Sequence, residues 1–177
     1  MNDANKTDNI NFIAVDFDQT LIDIHTGGRF KGTIAELSSH VRPMFIHLFK
    51  AAHASGIKIA IVTFSPQTRD ISHVLEIHFP DFAHEIVIRG RDHTWKYEGN
   101  GMRNGKQEFM ASAAEELLNK YGHAMEIAKK STILFDDDDA NIELALRDGV
   151  RAIWINPERS HLLIGDILAM PCTTLMK

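Results

Sequence analysis

A chain of 177 residues suits one domain with a sizeable core, and 19 Lys and Arg against 24 Asp and Glu leave a net charge of −5 with histidine neutral. That charge, with no clustered basic run, argues against a broad nucleic-acid footprint. The single cysteine, Cys172, excludes a disulfide framework within the chain and points to a reduced compartment.

Residues 1–9 are polar, lack the apolar core of a secretory signal, and read as a flexible N-terminal segment before a single domain over 10–177. No stretch approaches the roughly 20 apolar residues that span a bilayer, so a cytoplasmic protein without a membrane partner is expected. Residues 11–15 (NFIAV) read as a short buried strand ending at Asp16. A helix is expected over 43–55, with Met44, Leu48, Ala51 and Ala52 on one side and Gly56 placed to end it. Residues 58–62 (KIAIV) form a second strand ending at Thr63, and 85–89 (EIVIR) a weaker one. The repeat of Phe109, Ala113, Leu117 and Leu118 predicts a helix over 106–121, stopped by Gly122. Residues 132–135 (TILF) make a strand that runs into four adjacent aspartates, 136–139. A helix over 139–148 and a strand over 151–155 (RAIWI) complete the pattern. Strands alternating with helices predict a Rossmann-like three-layer α/β sandwich with a mainly parallel five-stranded sheet.

Polar residues follow directly on three of these strands: Asp16, Thr63 and the acidic run. In an open α/β sheet, ligands bind outside the carboxyl ends of the strands, so three distant segments converge on one rim. In Asp16-Phe17-Asp18-Gln19-Thr20, two carboxylates can divide the work of nucleophile and proton carrier. A calcium loop does not fit, because Leu21 stands where its glycine would be and Gly27 where its glutamate would be. Thr63 can bind a phosphoryl oxygen, with Ser65 as the substitute. Lys106 stands where a helix N-terminus already favours anions, with Lys96 as the competitor. Four adjacent carboxylates repel one another unless a cation or a helix N-terminus compensates; beside a phosphate site, hard oxygen ligands suit Mg²⁺. The ten histidines scatter without metal-ligand spacing, and Cys172 has no activating neighbour.

Taken in order, Asp16-x-Asp18-x-Thr20, the strand ending in Thr63, Lys106, and Asp136-Asp137 with Asn141 resemble the four motifs of the haloacid dehalogenase superfamily, from Phe12 to about Ile155. The resemblance implies a Mg²⁺-dependent phosphatase in which Asp16 forms an aspartyl phosphate and Asp18 acts as acid, then base. It implies Mg²⁺ held by the carboxylates of Asp16 and Asp137 and the backbone carbonyl of Asp18, with Thr63 and Lys106 on the phosphoryl oxygens. Asn141, four residues after Asp137, favours Asp137 as the ligand and leaves Asp136 to pair with Lys106; Thr20 supports the site from behind.

The stretch 22–40 is too short for the family's cap domain, and 63–106 is filled by a helix, the weak strand and a loop. The chain is therefore similar to the capless members, whose open sites take phosphate on small molecules, proteins or nucleic-acid ends, some with a homo-oligomer partner as lid. The loop 90–105, with Arg91, Trp95, Lys96, Tyr97 and Arg103, is a candidate substrate contact. The competing reading is a catalytically silent relative that binds phosphate or Mg²⁺ as an interaction or regulatory module. A receiver-type phosphoacceptor fits less well, because it carries an adjacent acidic pair after the first strand.

Overall fold

The computed structural model of the chain describes residues 9–122 and 126–158; Cys172 and nearly all of the N-terminal segment lie outside them. Five strands make one parallel sheet: β1 (Phe12–Val15), β2 (Lys58–Val62), β3 (Val87–Arg89), β4 (Thr132–Asp136) and β5 (Arg151–Trp154). Their order is β3-β2-β1-β4-β5, so the direction of travel across the sheet reverses between β1 and β4. Such a switch point opens a crevice at the carboxyl ends of the strands.

The residues explain the layers. All four positions of β1 are buried, as a central parallel strand covered on both faces requires. Alternation along the strands then sorts side chains by face. Ile13, Val15, Ile59 and Ile61 join Phe45 and Phe49 of α2 (Pro43–Ala54). Ile71, Val74 and Leu75 of α3 (Thr68–His78) pack into the same core. On the other face Phe12, Ala14, Ala60 and Val62 meet Phe109, Ala113 and Leu117 of α5 (Gln107–Tyr121) and Ala145 of α6 (Asp139–Arg147). Burial of Phe45 or Phe49, both fully enclosed, contributes about 1.5–3 kcal/mol each.

The ends of the elements follow local chemistry. Pro43 opens α2 at a position where its missing N–H costs nothing, and Gly56, at φ 72°, lies just beyond the helix end. The short α1 (Ile34–Ser39) is held by a capping box between Thr33 and Glu36. A further four-residue helix, α4 (Gly101–Asn104), precedes α5. The weak strand starts at Val87 because Ala83–Glu85 forms a tight helical turn first. No helix among the described residues is long and apolar enough to cross a membrane.

Candidate active site

The parallel register sets the rim. Val15 lies opposite Ile61 on one side and Phe135 on the other, so Asp16, Thr63 and Asp136 emerge close together where β1, β2 and β4 end. The backbone N–H of Asp16 still bonds the Phe135 carbonyl at 2.9 Å, which fixes the residue to the sheet. Beyond it, Phe17–Leu21 forms an irregular helical turn, broken where Asp18 is extended and Gln19 has φ 56°. Buried Phe17 and Leu21 anchor this turn from below. Arg42 clamps it, donating from Nε to the Thr20 carbonyl at 3.0 Å and from Nη2 to the Gln19 carbonyl at 3.1 Å.

Lys106 immediately precedes α5 and is 2% exposed, buried where most lysines are solvated. Its ammonium donates to Asp16 Oδ1 at 2.5 Å and to the Val62 carbonyl at 2.9 Å, and lies 3.8 Å from Asp136 Oδ2. The ring of Phe64 covers it at 4.1 Å. Lys96, the competitor, is exposed and pairs with Glu98.

Asp136 is 1% exposed; both its oxygens accept from Asn141 Nδ2 at 3.1 Å, and Oδ1 also accepts the Asp138 N–H at 2.9 Å. Asn141 therefore serves Asp136, and its spacing from Asp137 carries no preference between the two. The reason is local: Asp138 caps α6, accepting from the Ala140 N–H, which turns the helix's first residues back toward the strand end. Half-buried Asp137 accepts from Thr20 Oγ1 at 3.3 Å, and its carbonyl accepts from the indole of Trp154 at 2.7 Å. The expected pairing of Asp136 with Lys106 is present, but the nearer partner of the lysine is Asp16.

Oxygens of Asp16, Asp136 and Asp137 all lie within 4.8 Å of one another, so these three carboxylates could hold a metal ion. Their electrostatics point the same way. Burial raises the Asp16 carboxyl above its usual range against the opposing pull of Lys106. Burial first, then the charge of Asp16, raises Asp137 and pushes Asp136 up to about 7. One buried cation facing three carboxylates leaves negative charge that a divalent ion with hard-oxygen preference would neutralise.

A pH dependence follows with a defined sign. Because the folded-state carboxyls are raised, the metal-free protein gains protons on folding and loses stability as pH rises from the ordinary carboxylate range through about 7. A cation held by these three carboxylates would replace those protons. The rise in melting temperature on adding Mg²⁺ is therefore expected to be larger at about pH 8 than at about pH 5.5. Thermal melts at both pH values check this; an equal or reversed shift contradicts it.

A cleft of about 450 Å³ opens on the rim, lined by Asp16, Asp18, Thr63, Lys106, Asp136 and Asp137 among others. Asn141 also reaches it, while Thr20 is buried beneath. Thr63 Oγ1 accepts the Ser65 N–H at 3.1 Å, which leaves the hydroxyl hydrogen to a ligand. Asp18 Oδ1 accepts the Thr26 N–H at 2.6 Å. None of the described side chains of the loop 90–105 lines the cleft. Trp95 donates to the Gly90 carbonyl at 2.8 Å and packs edge-on against Phe109 at 4.8 Å, and Tyr97 lies 4.8 Å from the same ring. These aromatics cover α5, so the substrate contact expected of Trp95 and Tyr97 gives way to packing. Arg42, Phe64, Gln67 and Trp154 were not singled out from sequence; all act through tertiary contacts that no local motif announces.

No family model and no curated protein matches the chain. Among solved structures, a protein from Clostridium difficile described as a "putative phosphatase" superposes with a TM-score of 0.53 at 14% identity, over 84% of this chain and 86% of that one. An uncharacterized protein from Corynebacterium glutamicum gives 0.51 at 15% identity, over 89% and 94%. The HAD domain of the effector protein Lem4 from Legionella pneumophila covers 96% of this chain and 100% of its own at 17% identity. Its TM-score of 0.48 is too low to carry an argument. What the likeness shows is the fold alone, a Rossmann-like α/β fold with a parallel five-stranded sheet; the chemistry rests on this chain's own residues.

Proposed function

We propose that this chain is a Mg²⁺-dependent phosphomonoester hydrolase of the haloacid dehalogenase superfamily, working through an aspartyl phosphate on Asp16. The observation that carries the reading is the buried Asp16 carboxylate at a strand end, held at 2.5 Å by Lys106 and flanked by Asp136 and Asp137.

In the first half-reaction an Asp16 oxygen attacks phosphorus, and the ester P–O bond breaks with its electron pair on the leaving oxygen. Asp18 gives that oxygen a proton. In the second half-reaction Asp18 takes a proton from water, whose oxygen attacks the same phosphorus. The bond to Asp16 breaks, releasing phosphate and restoring the carboxylate. Lys106 and Thr63 hold the phosphoryl oxygens, where charge must be stabilised as the bonds exchange. Mg²⁺, held by Asp16 and Asp137 with Asp136 alongside, would supply the remaining positive charge. The open cleft suits a phosphate on a small molecule, a protein or a nucleic-acid end.

A panel of sugar phosphates, nucleotides, phosphopeptides and 3′-phosphorylated oligonucleotides tests the reading. Turnover is expected with Mg²⁺, to fall to background in EDTA, and to return with excess Mg²⁺. Turnover indifferent to EDTA contradicts the metal requirement. No turnover from folded, Mg²⁺-binding protein contradicts the hydrolase.

A further inference from the structure

The acid of the proposed reaction stands in a turn whose outer neighbours are exposed. Asp23, His25, Gly27 and Arg29 face solvent, while Ile24 and Phe30 between and after them pack against the core and anchor the loop. Above those anchors, a chain of hydrogen bonds reaches the Asp18 carboxyl. Asp18 Oδ1 accepts the Thr26 N–H at 2.6 Å, and Thr26 Oγ1 accepts from Gln67 Nε2 at 2.5 Å. The other end of the same amide, Gln67 Oε1, accepts the Phe30 N–H at 2.9 Å, so one buried side chain grips the loop at two points. The Gln67 backbone N–H donates to Ser65 Oγ at 3.3 Å, and the Ser65 N–H to Thr63 Oγ1 at 3.1 Å. The run is continuous from the acid beyond β1 to the hydroxyl beyond β2. At Gly28, φ is 82° and an added Cβ would lie 3.2 Å from Pro66 Cδ, so the loop closes directly on the turn that carries Gln67.

We propose that Gln67, acting through Thr26, is a positioning residue that holds the Asp18 carboxyl where it can deliver a proton to the leaving oxygen. The proposal rests on the phosphatase reading and adds to it the group that orients the acid. Proton transfer in a transition state requires hydrogen-bond reach, and small misplacements are costly. Gln67 touches neither the phosphoryl group nor the metal-binding carboxylates. Its influence should therefore appear where Asp18 moves a proton, and in kcat/KM only where the leaving group needs one.

That gives a readout that a merely structural role would not produce. An alkyl phosphate leaves as an alkoxide that needs a proton; dinitrophenyl phosphate leaves as a stable phenolate that does not. Because kcat/KM reports only the steps through departure of the leaving group when that departure is irreversible, it isolates the role of the acid. For Gln67→Leu and Thr26→Val, kcat/KM on the alkyl ester is expected to fall about 10- to 100-fold, and on dinitrophenyl phosphate by less than about threefold. Thr26→Ser, which keeps the hydroxyl, is expected to match the wild type on both. Thr26→Val retains the backbone N–H and lies in a solvent-facing loop, so it decides the matter if Gln67→Leu does not fold. Equal losses on the two esters, or no loss on the alkyl ester, overturn the proposal. A wild type that turns over neither ester removes the phosphatase reading and the proposal together. Wild-type turnover lost in Asp16→Asn, with uniform effects at Gln67 and Thr26, removes the proposal alone.

Discussion

Asp16→Asn is expected to lower kcat by on the order of 10⁴-fold or more while leaving the protein folded. The substitution keeps an oxygen for Lys106 and the shape of the side chain, so the strand end and its backbone bond to Phe135 have no reason to move. What it removes is the anionic oxygen to which the proposed mechanism gives the attack on phosphorus. Direct attack by water at the same site would lack the second half-reaction and leave only a small residual rate. Steady-state kinetics on the best ester of the panel, with a melting curve for the variant, check the prediction. Activity within about tenfold of wild type would mean that another group is the nucleophile.

Lys106→Met is expected to damage stability and activity together. The ammonium is enclosed and bonds Asp16, the Val62 carbonyl and, more distantly, Asp136. Without it, three carboxylates crowd at the strand ends with no buried cation between them. Removing one partner from a buried charge pair costs about 3–5 kcal/mol, here read by denaturant unfolding in metal-free buffer. Added Mg²⁺ is expected to restore part of that loss and little of the activity. With the phosphoryl oxygens also deprived of a charge, kcat/KM should fall about 10²- to 10³-fold. Lys106→Arg is not expected to rescue either property, because a larger planar guanidinium must enter a slot that is 2% exposed. A Lys106→Met protein as stable and active as wild type would make the lysine a bystander.

The parts of this site readable from sequence are those set by strand periodicity. β1, β2 and β4 are short, nearly unbroken apolar runs, because central parallel strands are buried on both faces, and each run announces the polar residue at its end. That places Asp16, Thr63 and Asp136 on one rim before any contact is known. Lys106 was readable for a different reason, as the residue where the periodicity of α5 begins. The sequence could not say which carboxylate Asn141 would face, since that depends on how the Asp138 cap orients the start of α6. Nor could it distinguish Trp95 and Tyr97 as cover for Phe109 from the same residues as a substrate contact; both uses need exposed-looking aromatics in a loop. The bonds of Gln67 to Thr26 and Phe30 span about 40 residues and carry no motif. The capping box of α1 is the contrary case, because Thr33-x-x-Glu36 is a local signal that the sequence carries by itself.

The most direct test of the account is to look for phosphate on Asp16. Protein mixed with its best substrate and Mg²⁺, quenched in acid within one turnover and digested, is expected to show a phosphorylated peptide containing Asp16. The adduct should be discharged by hydroxylamine, as an acyl phosphate must be, and absent from Asp16→Asn. Product formed in the first turnover with no phosphate on the protein, or with phosphate on another residue, would contradict the account.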